Sequence, residues 1–288
     1  MIAIYKRELK SYFQSMVGYA FIAFLFGFMG LYFTVYNLNY GHPMFSVALA
    51  STMLIFLIAV PILTMRSFAE ERKNKTDQLL LTAPIKVIGI VMGKYLAMIT
   101  VFAIPVVFSC IYPFLIKMQG NAYLKLDYAA ILTFFIIGSV YIAVGMFLSA
   151  MTESPIIALV STFATLLLLY FWDGVIEFLP AKSGPNMVGL LVIIGIVCVI
   201  IYSATKNWLI SGGLAIIGIL GSVITFLIKS ELFESLLKNI LSKFAFASVL
   251  NNVINNSVLD LSSLILCLSL VFLFVFLTTQ TIQKRRWS

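Results

Sequence analysis

The chain has 288 residues, of which 62% are hydrophobic and only 10% charged, with a mean hydropathy of +1.08 and a formal net charge of +8. Water-soluble domains carry roughly 25% charged residues, so this much apolar surface requires lipid as its main solvent. That balance excludes a disordered chain, a disulfide scaffold and a nucleic-acid module, and the excess of Lys and Arg reads as a membrane-topology signal.

Residues 2–17 read as an amphipathic helix on the cytoplasmic interface. Tyr5, Leu9, Tyr12, Phe13, Met16 and Val17 fall on one helical face, and Lys6, Arg7, Lys10, Ser11 and Gln14 on the other, where they suit anionic headgroups. The apolar stretch that follows is too long for a signal peptide. The run from Ser11 to Met65 contains no Asp, Glu, Lys or Arg, long enough for two crossings at about 20 residues each. Asn37-Leu38-Asn39-Tyr40-Gly41-His42-Pro43 breaks it as a turn. Spans are predicted near 18–36, 44–65, 88–116, 128–150, 155–179, 187–204, 208–228 and 260–281. The sixth and seventh are short and Gly-rich and could form a hairpin that does not cross fully, which leaves a six-span version open. The fold expected is an all-α polytopic membrane protein of about eight transmembrane helices, because helices satisfy their own backbone in lipid. It divides into the interfacial helix 1–17 and a transmembrane domain 18–288.

Three loops stand out along the way. The first, 66–87, carries the densest charge cluster, Arg66 to Asp77, then Leu79-Leu80-Leu81 before Pro84. Thr76 can cap a new short helix, and three leucines in water need a cover, either membrane or a partner's groove. The second holds Glu153 beside Pro155. The third, 229–259, shows a helical apolar stripe (Leu232, Phe233, Leu236, Leu237, Ile240, Leu241 and Phe244) and reads as an outer amphipathic segment. Eight spans place both termini and the loop 66–87 on one side, which holds thirteen of the nineteen Lys and Arg residues, so both termini are expected in the cytoplasm.

Covalent chemistry is not supported. Gly89 and Gly93 before Lys94 superficially suggest a phosphate loop, but three residues separate them and Tyr95 follows the lysine. The same spacing suits close helix approach. His42 is the lone histidine and Cys110, Cys198 and Cys267 form no close pair, so no metal site or disulfide framework is expected. Asp173 and Glu177 lie one turn apart near the outer end of span five and form a candidate exit-side pair. No midplane acid and no inverted repeat speaks for a coupled carrier.

The run Phe68-Ala69-Glu70-Glu71-Arg72-Lys73 with Thr76, Leu79-Leu80-Leu81-Thr82-Ala83-Pro84 and Gly93-Lys94-Tyr95-Leu96-Ala97 resembles the permease subunits of type-2 ATP-binding-cassette exporters. The end, Leu277-Thr278-Thr279-Gln280 with Lys284-Arg285-Arg286-Trp287, is similar to the branch that includes gliding-motility-type and nitrous-oxide-cluster permeases. The resemblance implies a multi-pass protein of the bacterial cytoplasmic membrane that exports a hydrophobic or amphipathic substrate. It implies that Glu70, Glu71, Arg72, Lys73, Thr76, Leu79, Leu80 and Leu81 dock a separate ATPase subunit, which carries the ATP and Mg; this chain itself holds no cofactor and is not an enzyme. The permease pairs with a copy of itself or with a related permease. Similar sequences carry Gly and Glu where Lys75 and Gln78 stand here. The alternatives are a stand-alone carrier or channel, or a membrane scaffold of a motility- or envelope-type complex.

Overall fold

Charge-free runs in lipid must bond their backbone internally, and helices dominate what the chain builds. The computed structural model describes residues 1–77, 86–178, 183–205, 213, 234–242, 249–250 and 261–287. Among them the helices are α1 (Ile2–Gln14), α2 (Val17–Phe33), α3 (Ser46–Thr64), α4 (Ala69–Lys73), α5 (Val87–Ser109), α6 (Ile111–Gln119), α7 (Leu124–Met151), α8 (Pro155–Tyr170), α9 (Trp172–Glu177), α10 (Ser183–Thr205), α11 (Leu236–Leu241) and α12 (Leu261–Trp287). Five stretches are long and apolar enough to cross a membrane: Val17–Asn39, Ser46–Lys73, Val87–Gln119, Leu124–Met151 and Leu261–Arg285. Helix α8 is a shorter apolar one. The chain is an all-α polytopic membrane protein.

Two compact units divide it, Met1–Tyr170 with Phe246–Ser288, and Phe171–Ala245. In the first, α7 is the central helix, packed against α3, α5, α8 and α12. Its Phe134, Ile137, Tyr141, Ile142 and Met146 are fully buried. Phe56 of α3 stands 4.9 Å from the Phe102 ring of α5 and 5.4 Å from Phe134 of α7. Such tilted contacts are worth about 0.5–1.5 kcal/mol each beyond the area they bury. Glycine makes this density possible. A Cβ on Gly138 would lie 2.4 Å from the Phe102 ring, and one on Gly145 would lie 2.4 Å from Thr64 Oγ1.

Helix α7 also holds α3 at both ends. Asp127 Oδ1 accepts the Ser46 N–H at 3.0 Å, satisfying a donor in the first turn of α3. At the other end the Ser149 hydroxyl donates to the Met65 carbonyl at 3.2 Å. The two caps lie 22 positions apart on α7, about 33 Å of helix at 1.5 Å per residue, close to the thickness of a bilayer's apolar core.

The turn expected at Asn37–Pro43 is present. Helix α2 runs into a π-helical segment, Thr34–Asn39, and Asn37 Nδ2 donates to the carbonyls of His42 (2.7 Å) and Met44 (2.9 Å). Gly41 takes the left-handed φ of +68° that the turn requires. Two expected spans are interrupted. In 88–116 the helix breaks at Cys110: Pro113 has no N–H for the Ser109 carbonyl, and the ladder tightens one turn earlier, where Cys110 N–H reaches Val107 O at 3.2 Å. In 155–179 the helix stops at Tyr170 and restarts at Trp172, whose indole N–H donates to the Leu241 carbonyl at 2.9 Å within the second unit. The sixth predicted span falls within α10. The seventh, 208–228, lies outside the described residues except for Gly213, and of 229–259 only 234–242 and 249–250 are described, including α11.

Because neither aromatic ring beside Gly138 has open space to move into, Gly138→Ala is expected to destabilise the fold by about 1–3 kcal/mol. Thermal unfolding of the detergent-solubilised protein measures it; an unchanged Tm contradicts the close packing of α5 on α7.

Candidate functional site

The charged cluster after α3 forms a compact knuckle. Helix α4 has only five residues, Ala69–Lys73, too few to persist alone in water, so its shape depends on what holds it. At its start, Ser149 of α7 works as a cap from outside. The hydroxyl oxygen accepts the N–H groups of Phe68 (3.3 Å) and Ala69 (3.2 Å) while its proton goes to Met65 O. One hydroxyl thus fills its entire capacity, two lone pairs and one hydrogen. At its end, Lys75 N–H bonds the Arg72 carbonyl at 3.1 Å and Thr76 N–H the Glu71 carbonyl at 2.9 Å. This paired closure requires a left-handed residue, and Lys75 supplies it at φ +56°. The break is made here without glycine, against the clash that a Cβ meets in this region.

The centre of the knuckle is Lys94, two turns into α5 and only 2% exposed. Its ammonium has three protons and three acceptors: the Ser67 carbonyl at 2.7 Å, Glu71 Oε1 at 3.0 Å and Glu8 Oε2 at 3.1 Å. The Phe68 ring lies 5.1 Å from it, within cation–π range. Arg7 closes the arrangement, donating to Glu8 Oε1 and, at 2.9 Å, to Glu71 Oε1. Two cations and two carboxylates therefore alternate in a neutral ring that joins α1, α4 and α5. Burial pulls the Arg7 guanidinium down, but Glu8 and Glu71 outweigh it and leave Arg7 above its ordinary value. Tyr12, buried beside the same carboxylates, is pushed up by burial first and by Glu8 and Glu71 next; its hydroxyl donates to Leu63 O at 3.3 Å. A polar cleft of about 320 Å³, bordered by Arg7, Ser11, Glu70 and Asn74 among others, gives onto the ring.

Gly93 shows why Lys94 can reach α1. A Cβ there would sit 3.1 Å from Ile4 Cγ2 and 3.3 Å from the Met1 carbonyl, so the small residue lets α1 lie close on α5. Gly93 thus serves close helix approach.

The eight residues expected to dock a partner separate into groups. Glu71 belongs to the ring. Arg72 pairs with Glu153 and donates to Met151 O at 3.3 Å, fastening α4 to the end of α7. Glu70 pairs with Arg66 at 3.3 Å across one helical turn and is about half exposed, an arrangement worth little by itself. Lys73 and Thr76 are exposed. Leu79, Leu80 and Leu81 lie outside the described residues. The pair Asp173 and Glu177 shares α9 in the second unit, Asp173 half-buried and Glu177 exposed. Glu8 and Lys94 were not singled out by the sequence as functional. Glu8 is the lone acid of α1 and continues the buried row Ile4, Glu8, Tyr12 at four-residue spacing; an acid in an apolar stripe is the signal that pointed inward.

Among the described residues no group of three or more His, Cys, Asp or Glu could hold a metal ion. Residues 2–189 match the family described as ABC-2 family transporter protein. Comparison with curated proteins and with solved structures returns no match. The match covers well over half of the chain, and the chain belongs to that family. It is accordingly the permease, the non-catalytic transport subunit of an ATP-binding-cassette transporter, and membership implies pairing with an ATPase subunit that binds the nucleotide.

Two substitutions test the knuckle. Lys94→Met leaves Glu8 and Glu71 facing only Arg7 and is expected to destabilise by about 3–5 kcal/mol, the usual result of stranding a buried charge. Adding Glu8→Gln leaves one balanced Arg7–Glu71 pair and should restore most of the Tm; a double variant no more stable than the single one argues against the neutral ring. Lys75→Gly relieves the left-handed strain and should stabilise by about 0.5–1 kcal/mol in the same melt. A loss there shows that the Lys75 side chain, not its backbone, matters.

Proposed function

From that membership we propose that the chain is an exporter permease of a bacterial cytoplasmic membrane, in which the loop 66–84 is the coupling element gripped by the ATPase. In this reading the protein crosses the membrane six to eight times with both termini in the cytoplasm, and α1 lies along the inner interface. Two permeases, identical or related, form the pathway, and the substrate is hydrophobic or amphipathic. Within the family we assign the chain to the motility-type and nitrous-oxide-cluster branch, which its C-terminal motif resembles.

The observation that carries the reading is the way α4 is fastened. A surface loop with no mechanical role needs no buried lysine, no external cap and no bridge to a neighbouring helix end. Here α4 is tied to α1 and α5 through Lys94, and to α7 through Ser149 and Arg72. A displacement applied to α4 is therefore delivered to three helices at once. ATP-dependent closure of the ATPase pair would move the two coupling elements together and bias the bundle toward an outward-open packing. Glu71 and Arg72 serve this by holding the element in place, and the exposed Lys73 and Thr76, with Glu70, form the face available to the ATPase.

Charge reversal on that face, Glu70→Lys with Lys73→Glu, leaves the ring and the Ser149 cap untouched. Pull-down of the tagged chain from native membranes is expected to recover an ATP-binding-cassette ATPase with the wild type and at least tenfold less with the double variant, at equal permease yield and equal Tm. Recovery of the same amount with both chains rejects the docking assignment.

A further inference from the structure

Away from Lys94, α5 borders a second feature that has no part in the knuckle. Between the start of α5 and the last turns of α12 lies a cavity of about 930 Å³, within the roughly 300–1,000 Å³ typical of sites that enclose a small ligand. Its lining is divided along its length. Ile88, Met92, Phe272 and Phe276 supply an apolar wall; Lys86, Gln280 and Gln283 supply the polar groups. The polar ones come from the residue that opens α5 and the terminal turns of α12, so they gather at one end. Ile88, Phe272 and Phe276 are all more than half exposed, and on a multi-pass protein such a wall meets acyl chains rather than water.

Charge selects the occupant. The carboxylates of this unit are committed elsewhere: Glu8 and Glu71 to Lys94 and Arg7, Glu70 to Arg66 and Glu153 to Arg72, while Asp77, the nearest in sequence, lines a separate small cleft with Arg72 and Arg285. Among the described residues none pairs with Lys86, which is exposed, and Lys284 adds a second exposed cation one turn beyond Gln280. A cavity that is apolar along its wall, carries amide donors near its mouth and an unpaired lining ammonium at its rim, with a second cation close by, matches an amphiphile with a negative head.

We propose that this groove is a binding site for one anionic phospholipid. The phosphate sits at Lys86 with the Gln280 and Gln283 amides as hydrogen-bond donors, and one acyl chain lies along Ile88, Met92, Phe272 and Phe276. The lipid packs α12 against α5 at headgroup level, and its retention tracks the anionic content of the leaflet. This inference does not depend on the docking of an ATPase.

The test uses the full chain reconstituted in vesicles of equal parts phosphatidylglycerol and phosphatidylcholine, extracted in mild detergent and read by native mass spectrometry. The wild type is expected to retain one phosphatidylglycerol in roughly fivefold preference, the factor that one basic side chain supplies near an anionic headgroup. Lys86→Ala should bring the ratio to about one. Met92→Trp fills the apolar wall and should abolish retention of either lipid while Lys86 remains, which separates a seated lipid from adsorption at a basic rim. Circular dichroism and a single symmetrical elution peak confirm that each variant folds. Equal retention of both lipids by the wild type, a preference unchanged in Lys86→Ala, or retention unaffected by Met92→Trp overturns the proposal. So does disulfide cross-linking between two copies of Phe276→Cys without bound lipid, which would assign the groove to a second permease.

Discussion

The ammonium of Lys94 imposes the strictest demand in the described structure. Removed from water, it needs three acceptors with good geometry, and a buried ammonium with an incomplete set is far more costly than an apolar side chain in its place. The three come from three places in the chain: Glu8 on α1, Glu71 on α4 and the Ser67 carbonyl at the end of α3's extension. Arg7 then neutralises the remaining charge. A single side chain thereby fixes the mutual positions of an N-terminal helix, a five-residue helix and a long membrane helix. None of the three would be pinned by its own propensity. Helix α4 is too short, and α1 carries no side-chain cap at its start and no basic residue in its last turn.

Helix α7 is the second constraint, and it works through different physics. Its middle is packed on aromatic rings that only glycine lets approach, and its ends act as polar clasps. Asp127 holds the start of α3; Ser149 and the Met151 carbonyl hold the break that follows α3. In a medium without water each of those backbone groups needs a partner, so the same helix that forms the centre of the core also determines where α3 begins and where it gives way to α4. The knuckle is consequently continuous with the core and is not a loop hung from it.

Much of this was legible in the residues. Charge-free runs located the long helices, because lipid excludes unpaired charge, and the Asn- and Gly-containing turn at 37–43 appears where those residue types demanded it. The loop 66–77 stood out by charge density. What could not be read was partnership. Lys94 counts as one more basic residue near a helix start until the fold brings Glu8 to it from 86 positions away. Glu8 went unremarked among the basic residues of α1, because the partner that gives it a role, Lys94, is distant in sequence. The break at Tyr170 was hidden for a similar reason: the apolar run continues through Phe171 and Trp172, and the Trp172 indole finds its partner, the Leu241 carbonyl, 69 positions on. At Lys75 two backbone hydrogen bonds close a left-handed turn on a residue that is not glycine, a case of closure geometry overriding the side chain's preference.

A buried ion ring is a weak way to gain stability, since well-packed apolar groups of equal volume often do as well. What it supplies is directionality. The hydrophobic contribution is non-directional, whereas a ring of charged hydrogen bonds weakens as soon as one donor leaves its acceptor. For an element meant to carry force between a soluble engine and a membrane bundle, slip is the failure to avoid. The ring sits between α4 and the two helices it would have to move, and the exposed residues of α4 lie outside it. In the proposed coupling, that order separates the surface that receives the push from the contacts that transmit it. The one can then be tuned to a partner without loosening the other.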